Sequence, residues 1–300
     1  LNYSLGVGVT RSWLKQEGED GYQTYTFWPR FSFRYAFSDN FYARLNGSLA
    51  NNPPALSELS AVEQLIDSMQ IQRGNPDLNP YNRYQADLYM EYRKGKVSVG
   101  LSSRYRNAPK AIMESTFIED GMFIHTYENQ DGFQSLNGEL NLRAGMLWNI
   151  LQFSLSGGGN RYWSDGKDYR HTYTNWYYRA EIMGQYKHLT AMFSIYNRRN
   201  SFWGEKMSSG ENLHMLMVRY NYKQFSVGAG MINPFANNYK RIYENWNKYV
   251  SSYKENYINE SSHAFFLTFA WNFRFGRKYQ SDGKKIYNQD NDSGIMNAGK

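Results

Sequence analysis

Residues 263–275 read HAFFLTFAWNFRF. Phe265, Leu267, Phe269, Trp271, Phe273 and Phe275 occupy one side of an extended chain, and Thr268, Ala270, Asn272 and Arg274 the other. Side chains alternate across a strand, so this run presents a wholly apolar face and a polar one. A soluble edge strand with such a face exposed would aggregate, so the face must meet a core or lipid.

The same two-residue period recurs along the chain. Tyr3, Leu5, Val7, Val9 and Trp13 oppose Ser4, Gly6, Gly8, Thr10 and Ser12. Tyr25, Phe27, Phe31, Phe33, Tyr35 and Phe37 oppose Thr26, Arg30, Ser32 and Arg34. Further alternating runs lie at 41–49, 83–93, 97–106, 136–144, 151–156, 175–185, 189–196, 216–221 and 225–231. Together they predict about twelve strands. Between them, short connections at 38–40, 94–96, 148–150, 187–188 and 223–224 alternate with long ones at 14–23, 51–80, 107–133, 161–172, 198–211 and 233–262. Short turns at one end and long loops at the other are the pattern of a transmembrane barrel, with the long loops extracellular. Within the second long connection, SELSAVEQLIDSMQ has apolar residues at helical spacing and predicts a short helix.

Composition fits this reading. No run of about 18 apolar residues exists to form a membrane helix. The mean hydropathy of −0.74 is low for a soluble protein with 18% aromatic residues, but ordinary for strands that alternate lipid-facing and lumen-facing positions. A soluble antiparallel sandwich or lectin would alternate too, but would not explain the loop asymmetry, the Tyr and Trp towards strand ends, or the many arginines on the polar face. The net charge is +7, yet Lys and Arg are dispersed, so no nucleic-acid surface is expected. The expected organisation is a barrel over 1–275, all-β and antiparallel, followed by a polar tail at 276–300.

Catalysis and metal binding find little support. There is no cysteine. The histidines (His125, His171, His188, His214, His263) have no GxSxG or spaced carboxylate beside them, and DNDSG at 290–294 lacks the later acidic ligand of a calcium loop. No enzyme activity, cofactor or metal is expected. The polar face instead carries Arg30, Arg34, Arg44, Arg83, Arg93, Arg104, Arg106, Arg143, Arg179, Arg219 and Arg274, with Asp87, Glu91, Glu139 and Glu181 as acidic partners. They predict a lumen wall of paired charges with arginine in excess. Loop aromatics and cations are the candidates for ligand capture: Arg198, Arg199 and Trp203 in one loop, Tyr239, Arg241 and Trp246 in another.

Gly74-Asn75-Pro76-Asp77-Leu78-Asn79-Pro80, leading into an amphipathic strand, resembles the barrel segment of TonB-dependent outer-membrane receptors. Tyr105-Arg106-Asn107, Asn233-Pro234-Phe235 and the closing FLTFAWNFRFGRK resemble the related outer-membrane β-barrel family, and the likeness covers residues 1–278. The resemblance implies a bacterial outer-membrane location in contact with lipid. It also implies an N-terminal plug domain absent from this chain, energy coupling through TonB, and import of a scarce nutrient of siderophore, glycan or peptide class. Barrels of that kind have about 22 strands and a plugged lumen, so the chain reads as their C-terminal half; a self-contained channel or binding protein of about twelve strands, without TonB coupling, is the alternative. Physically, Pro76 and Pro80 fix φ and remove backbone donors, which makes the motif a rigid entry to a strand, and Gly74 is expected to permit an unusual turn there.

Overall fold

The computed structural model describes residues 1–14, 22–197, 199–236 and 239–273. β1 (Asn2–Leu14), β2 (Tyr22–Ser38) and β3 (Phe41–Asn52) come first, then a one-turn helix α1 (Leu56–Leu59) and a hairpin of β4 (Gln64–Asp67) and β5 (Gln70–Gln72). β6 (Tyr81–Lys94) and β7 (Val97–Pro109) precede a second hairpin, β8 (Ile112–Glu119) and β9 (Met122–Asn129). β10 (Gly132–Leu147), β11 (Leu151–Asp165), β12 (Arg170–Tyr186) and β13 (Leu189–Tyr196) follow. The short pair β14 (Ser201–Trp203) and β15 (Lys206–Ser208), then β16 (Leu213–Tyr222), β17 (Phe225–Ile232), β18 (Lys240–Asn245), β19 (Ser252–Tyr257) and β20 (Ala264–Trp271) complete the described chain.

Twelve of these strands form one antiparallel meander in the order β1-β2-β3-β6-β7-β10-β11-β12-β13-β16-β17-β20. These are the strands that the alternating pattern predicts. Arg274 and Phe275, and the tail from 276 onward, lie outside the described residues. β1 and β20 are the two edges of the sheet. At the short-turn end, Gly95, Lys187 and Lys223 each begin a two-residue turn with φ of 58°, 50° and 52°. Positive φ matches the twist of a tight hairpin.

Register carries the alternation around the wall. Ser32, Asn46, Asp87, Arg104, Asn137 and Asn160 stand side by side on one face. On the other face, Val227 pairs with Phe269, and Ala229 with Leu267. Leu267 is 72% exposed. In a bilayer that surface meets hydrocarbon, so the wall needs no protein core behind it. Among the described residues no helix is long and apolar enough to cross a membrane; the crossing is made by strands.

The long connections fold differently from the sequence expectation. The region expected to be one helix contains only the single turn α1, and its second half enters the β4–β5 hairpin. Helical spacing over so short a run also suits a hairpin, and pairing with β9 decides the outcome. The stretch 161–172 is not a long loop either: β11 and β12 continue up to the pair Asp165 and Arg170. The loops join in pairs. β5 lies parallel to β9, giving the sheet β4-β5-β9-β8, and β15 lies antiparallel to β18, giving β14-β15-β18-β19. The buried apolar cluster Ala108, Ala111, Met113 and Phe133 sits at the base of this cap, with Tyr81 and Tyr162 packed against it.

Candidate functional site

The lumen wall is a hydrogen-bonded network. The Ser32 hydroxyl donates to Asn46 Oδ1 at 2.7 Å. Arg104 is ion-paired with Asp87. Arg106 Nε donates to Gln85 Oε1 at 2.9 Å. Asn137 Nδ2 donates to Asn160 Oδ1 and to the Tyr177 hydroxyl, both at 2.8 Å, and that hydroxyl donates to Glu139 at 2.9 Å. Gly158 makes this possible: a Cβ there would fall 2.9 Å from the Tyr177 oxygen and 2.3 Å from the Gly138 carbonyl. Tyr177 and Gly158 were not singled out by the sequence reading; a glycine run inside a strand is the signal that could have found them.

The wall arginines divide into those with a carboxylate partner and those without one. Arg93 pairs with Glu91 at 2.7 Å and Arg179 with Glu181 at 3.2 Å. Arg34 lies 4.3 Å over the Tyr42 ring, and Arg44 stands beside it in register. Arg219 donates to Met217 Sδ at 3.9 Å. Arg83 stands opposite Ala50, and Arg143 between Ser98 and Ser154. Among the described residues no carboxylate pairs with Arg44, Arg83, Arg143 or Arg219. Arg143, Arg179 and Arg93 line a lumen cavity of about 1020 Å³ together with Glu139, Tyr177 and Arg199.

Above the wall, the two loop sheets face one another across a cleft of about 1170 Å³. One side is built by Gln70 and Gln72 of β5, Glu114 and Thr116 of β8, and His125 and Tyr127 of β9. The other side is built by Trp203, Lys206, Tyr243, Asn245, Lys254 and Asn256. An ion pair between Lys206 and Glu114 ties the two sides together. His125 is held through both ring nitrogens, with Thr116 Oγ1 at 3.1 Å and Gln70 Oε1 at 2.9 Å. Burial pulls its pKa below the ordinary imidazole value and so favours the neutral ring.

The cap is held from behind. Phe202 and Met207 are buried side by side in register, and Met207 reaches the cleft lining while Phe202 does not. Phe202 packs on Tyr173 at 5.4 Å and Trp246 at 4.8 Å. Met113 Sδ accepts from Ser164 at 3.5 Å and from the Tyr169 hydroxyl at 3.8 Å. Burial pushes that phenol up to about 12.

The six loop candidates therefore separate. Trp203 lines the cleft, with Phe133 behind it at 4.4 Å. Arg199 lies 4.9 Å over the Tyr177 ring at the lumen cavity. Trp246 belongs to the supporting cluster, and its Nε1 donates to Glu244 at 2.7 Å. Arg241 is paired with Glu211, and Tyr239 is buried. Arg198 lies outside the described residues. His125, Gln70, Gln72 and Tyr127 enter the site unforeseen, because only tertiary pairing of two loops brings them together.

The proline motif is a latch between loops. Gly74 N donates to the Ser60 carbonyl at 2.7 Å, and Asn75 N to that of Glu58 at 2.6 Å. Asn75 Nδ2 reaches the Tyr127 carbonyl at 3.0 Å, and Asn75 Oδ1 accepts from Asp77 N at 3.0 Å. Leu78 is buried, and β6 starts directly after Pro80. Gly74 serves close approach rather than an unusual φ: a Cβ would lie 2.6 Å from the carbonyl oxygens of Glu58 and Ser60.

A meander with an apolar outer face, a polar inner face, short turns at one end and a folded cap at the other defines a transmembrane β-barrel protein of the bacterial outer membrane. The chain belongs to the outer membrane protein beta-barrel family, whose model matches residues 9–297. A search of curated proteins finds no match to this chain.

Proposed function

We propose that this chain is the C-terminal part of the barrel of a TonB-dependent outer-membrane receptor, one that captures a scarce nutrient at the extracellular cap and imports it through the lumen. The observation that carries this reading is the cleft. Loops left only to close a channel need no buried core of their own, whereas here four of them pair into two sheets around a cavity of about 1170 Å³ lined by both polar and apolar groups. The excess of arginine on the inner wall gives an acidic plug surface a place to dock, which suits a barrel whose lumen is plugged. The GNPDLNP entry to β6 supports the same reading by resemblance. No catalytic role is assigned.

Uptake by intact cells tests it. Cells expressing the complete protein should accumulate a cargo that binds the cap, and collapse of the inner-membrane proton gradient should abolish accumulation while surface binding persists. Uptake that continues undiminished after collapse would instead make the protein a passive channel.

A further inference from the structure

We propose that the cleft between the two loop sheets takes a neutral, polyhydroxylated ligand, a segment of a sugar chain stacked on Trp203; this rests on the reading of the cap as a capture site. Most of the charged groups in the cleft already have protein partners. Glu114 is paired with Lys206. Glu205 accepts from Asn247 Nδ2 at 2.7 Å and faces His171 at 3.4 Å, and Glu244 accepts from Trp246 Nε1 at 2.7 Å. Three carboxylates against two ammonium groups leave no field that would concentrate a phosphate, a ferric catecholate or a polycation.

Uncharged polar groups complete the lining, together with the exposed indole of Trp203 and the rings of Tyr127 and Tyr243. Gln72, Ser201, Ser208 and Asn256 line the cavity, and neutral hydroxyls and amides of this kind pair with sugar hydroxyls in both directions. Trp203 is 40% exposed, and Phe133 behind it fixes the indole. A flat apolar ring with a polar surround matches the apolar face and hydroxylated edge of a pyranose. The cavity is larger than the roughly 300–1,000 Å³ that holds a drug-sized molecule, so several sugar rings fit.

The test is binding to the complete protein in outer-membrane vesicles. The probes are neutral hexasaccharides of glucose, mannose, xylose and galactose, with hexaglutamate, hexalysine and a ferric catecholate as charged probes. The expected result is saturable binding of at least one neutral oligosaccharide, and weaker or no binding of every charged probe. Trp203→Ala should weaken that binding tenfold or more, Trp203→Phe should keep part of it, and Lys94→Gln, at the short-turn end of the wall, should leave it within about twofold. Binding of none of the sugars overturns the proposal, as does preference for a charged probe or parent-like sugar binding by Trp203→Ala. Should Trp203→Ala fail to reach the membrane, the pair Trp203→Phe and Trp203→Leu still decides, because only the aromatic replacement should retain part of the binding. A bound sugar whose uptake ignores the proton gradient would sink the receptor reading and leave this one standing. Gradient-driven uptake of a charged cargo that no sugar displaces would do the reverse.

Discussion

Asn129 grips Asn79 by both its backbone groups. The Asn79 amide donates to Asn129 Oδ1 at 2.8 Å, and Asn129 Nδ2 donates back to the Asn79 carbonyl at 2.8 Å and to that of Lys110 at 2.9 Å. One side chain thus fastens the strand entry before β6 to the hairpin of β8 and β9. Asn129→Ala removes three hydrogen bonds, each worth about 0.5–1.5 kcal/mol net where water competes. Proteolysis of the 53–80 segment in outer-membrane vesicles should quicken at least tenfold, with β20 unaffected.

Gly74 has no room to grow. Its would-be Cβ meets backbone oxygens, not a flexible side-chain tip. Gly74→Ala should therefore displace α1 from the motif and cost about 1–3 kcal/mol, the usual range for overpacking. Hydrogen exchange at the amides of Gly74 and Asn75 would report the loss. Protection equal to that of the parent protein would show that the latch accommodates a methyl group.

Asn233 is 0% exposed and has φ of 51°. Its Oδ1 accepts from His214 N at 3.0 Å, and its Nδ2 donates to the Ser261 carbonyl at 2.9 Å. It closes the top of β16, β17 and β20 in one residue. Asn233→Ala leaves two buried backbone groups unpaired and forces alanine into the left-handed region. The expected cost is about 3 kcal/mol or more, seen as a lower midpoint of thermal unfolding in detergent. Asn233→Asp keeps only the acceptor half and should fall between the two.

The barrel wall was legible and the cap was not, for a physical reason. A strand with lipid on one side and a polar lumen on the other writes its environment into every second residue, so Phe265, Leu267 and Phe269 disclose their face without knowledge of any partner. The ladder Arg104–Asp87 follows from the same alternation. The cap depends on which loop pairs with which. Nothing local to Gln70 or His125 says that β5 runs parallel to β9. The helical spacing around 57–70 even points away from it. Trp203 and Trp246 look alike in sequence, and only the pairing of β15 with both β14 and β18 sets one in the cleft and the other beneath it.

Leu267 and Thr268 test the two faces at one depth. Leu267 points to lipid, while Thr268 faces the lumen opposite Gly228. Arginine on the lipid face near mid-bilayer costs about 2–4 kcal/mol. Leu267→Arg should lower stability in liposomes by that amount, measured by denaturant unfolding, whereas Thr268→Arg should cost well under half as much. Equal costs at both positions would contradict the assignment of faces.

His125 makes the cap sensitive to acid. Desolvation lowers its pKa from the ordinary 6.5 and outweighs the opposing pull of Glu114, while Lys206 adds to the lowering and Asp67 opposes it more weakly. The docked cap therefore holds a neutral ring, and the undocked loops bind the proton more readily. Above the ordinary value the ring is neutral in both states, so its contribution to docking is complete. As pH falls below that value, the undocked form gains protons first and docking weakens, until the docked ring protonates as well. Between about pH 7.5 and 5.5, exchange of the Gln70–Gln72 and Ile124–Thr126 amides, corrected for its intrinsic pH dependence, should speed up. In His125→Gln, which has no group titrating at that position, the same amides should show no such dependence.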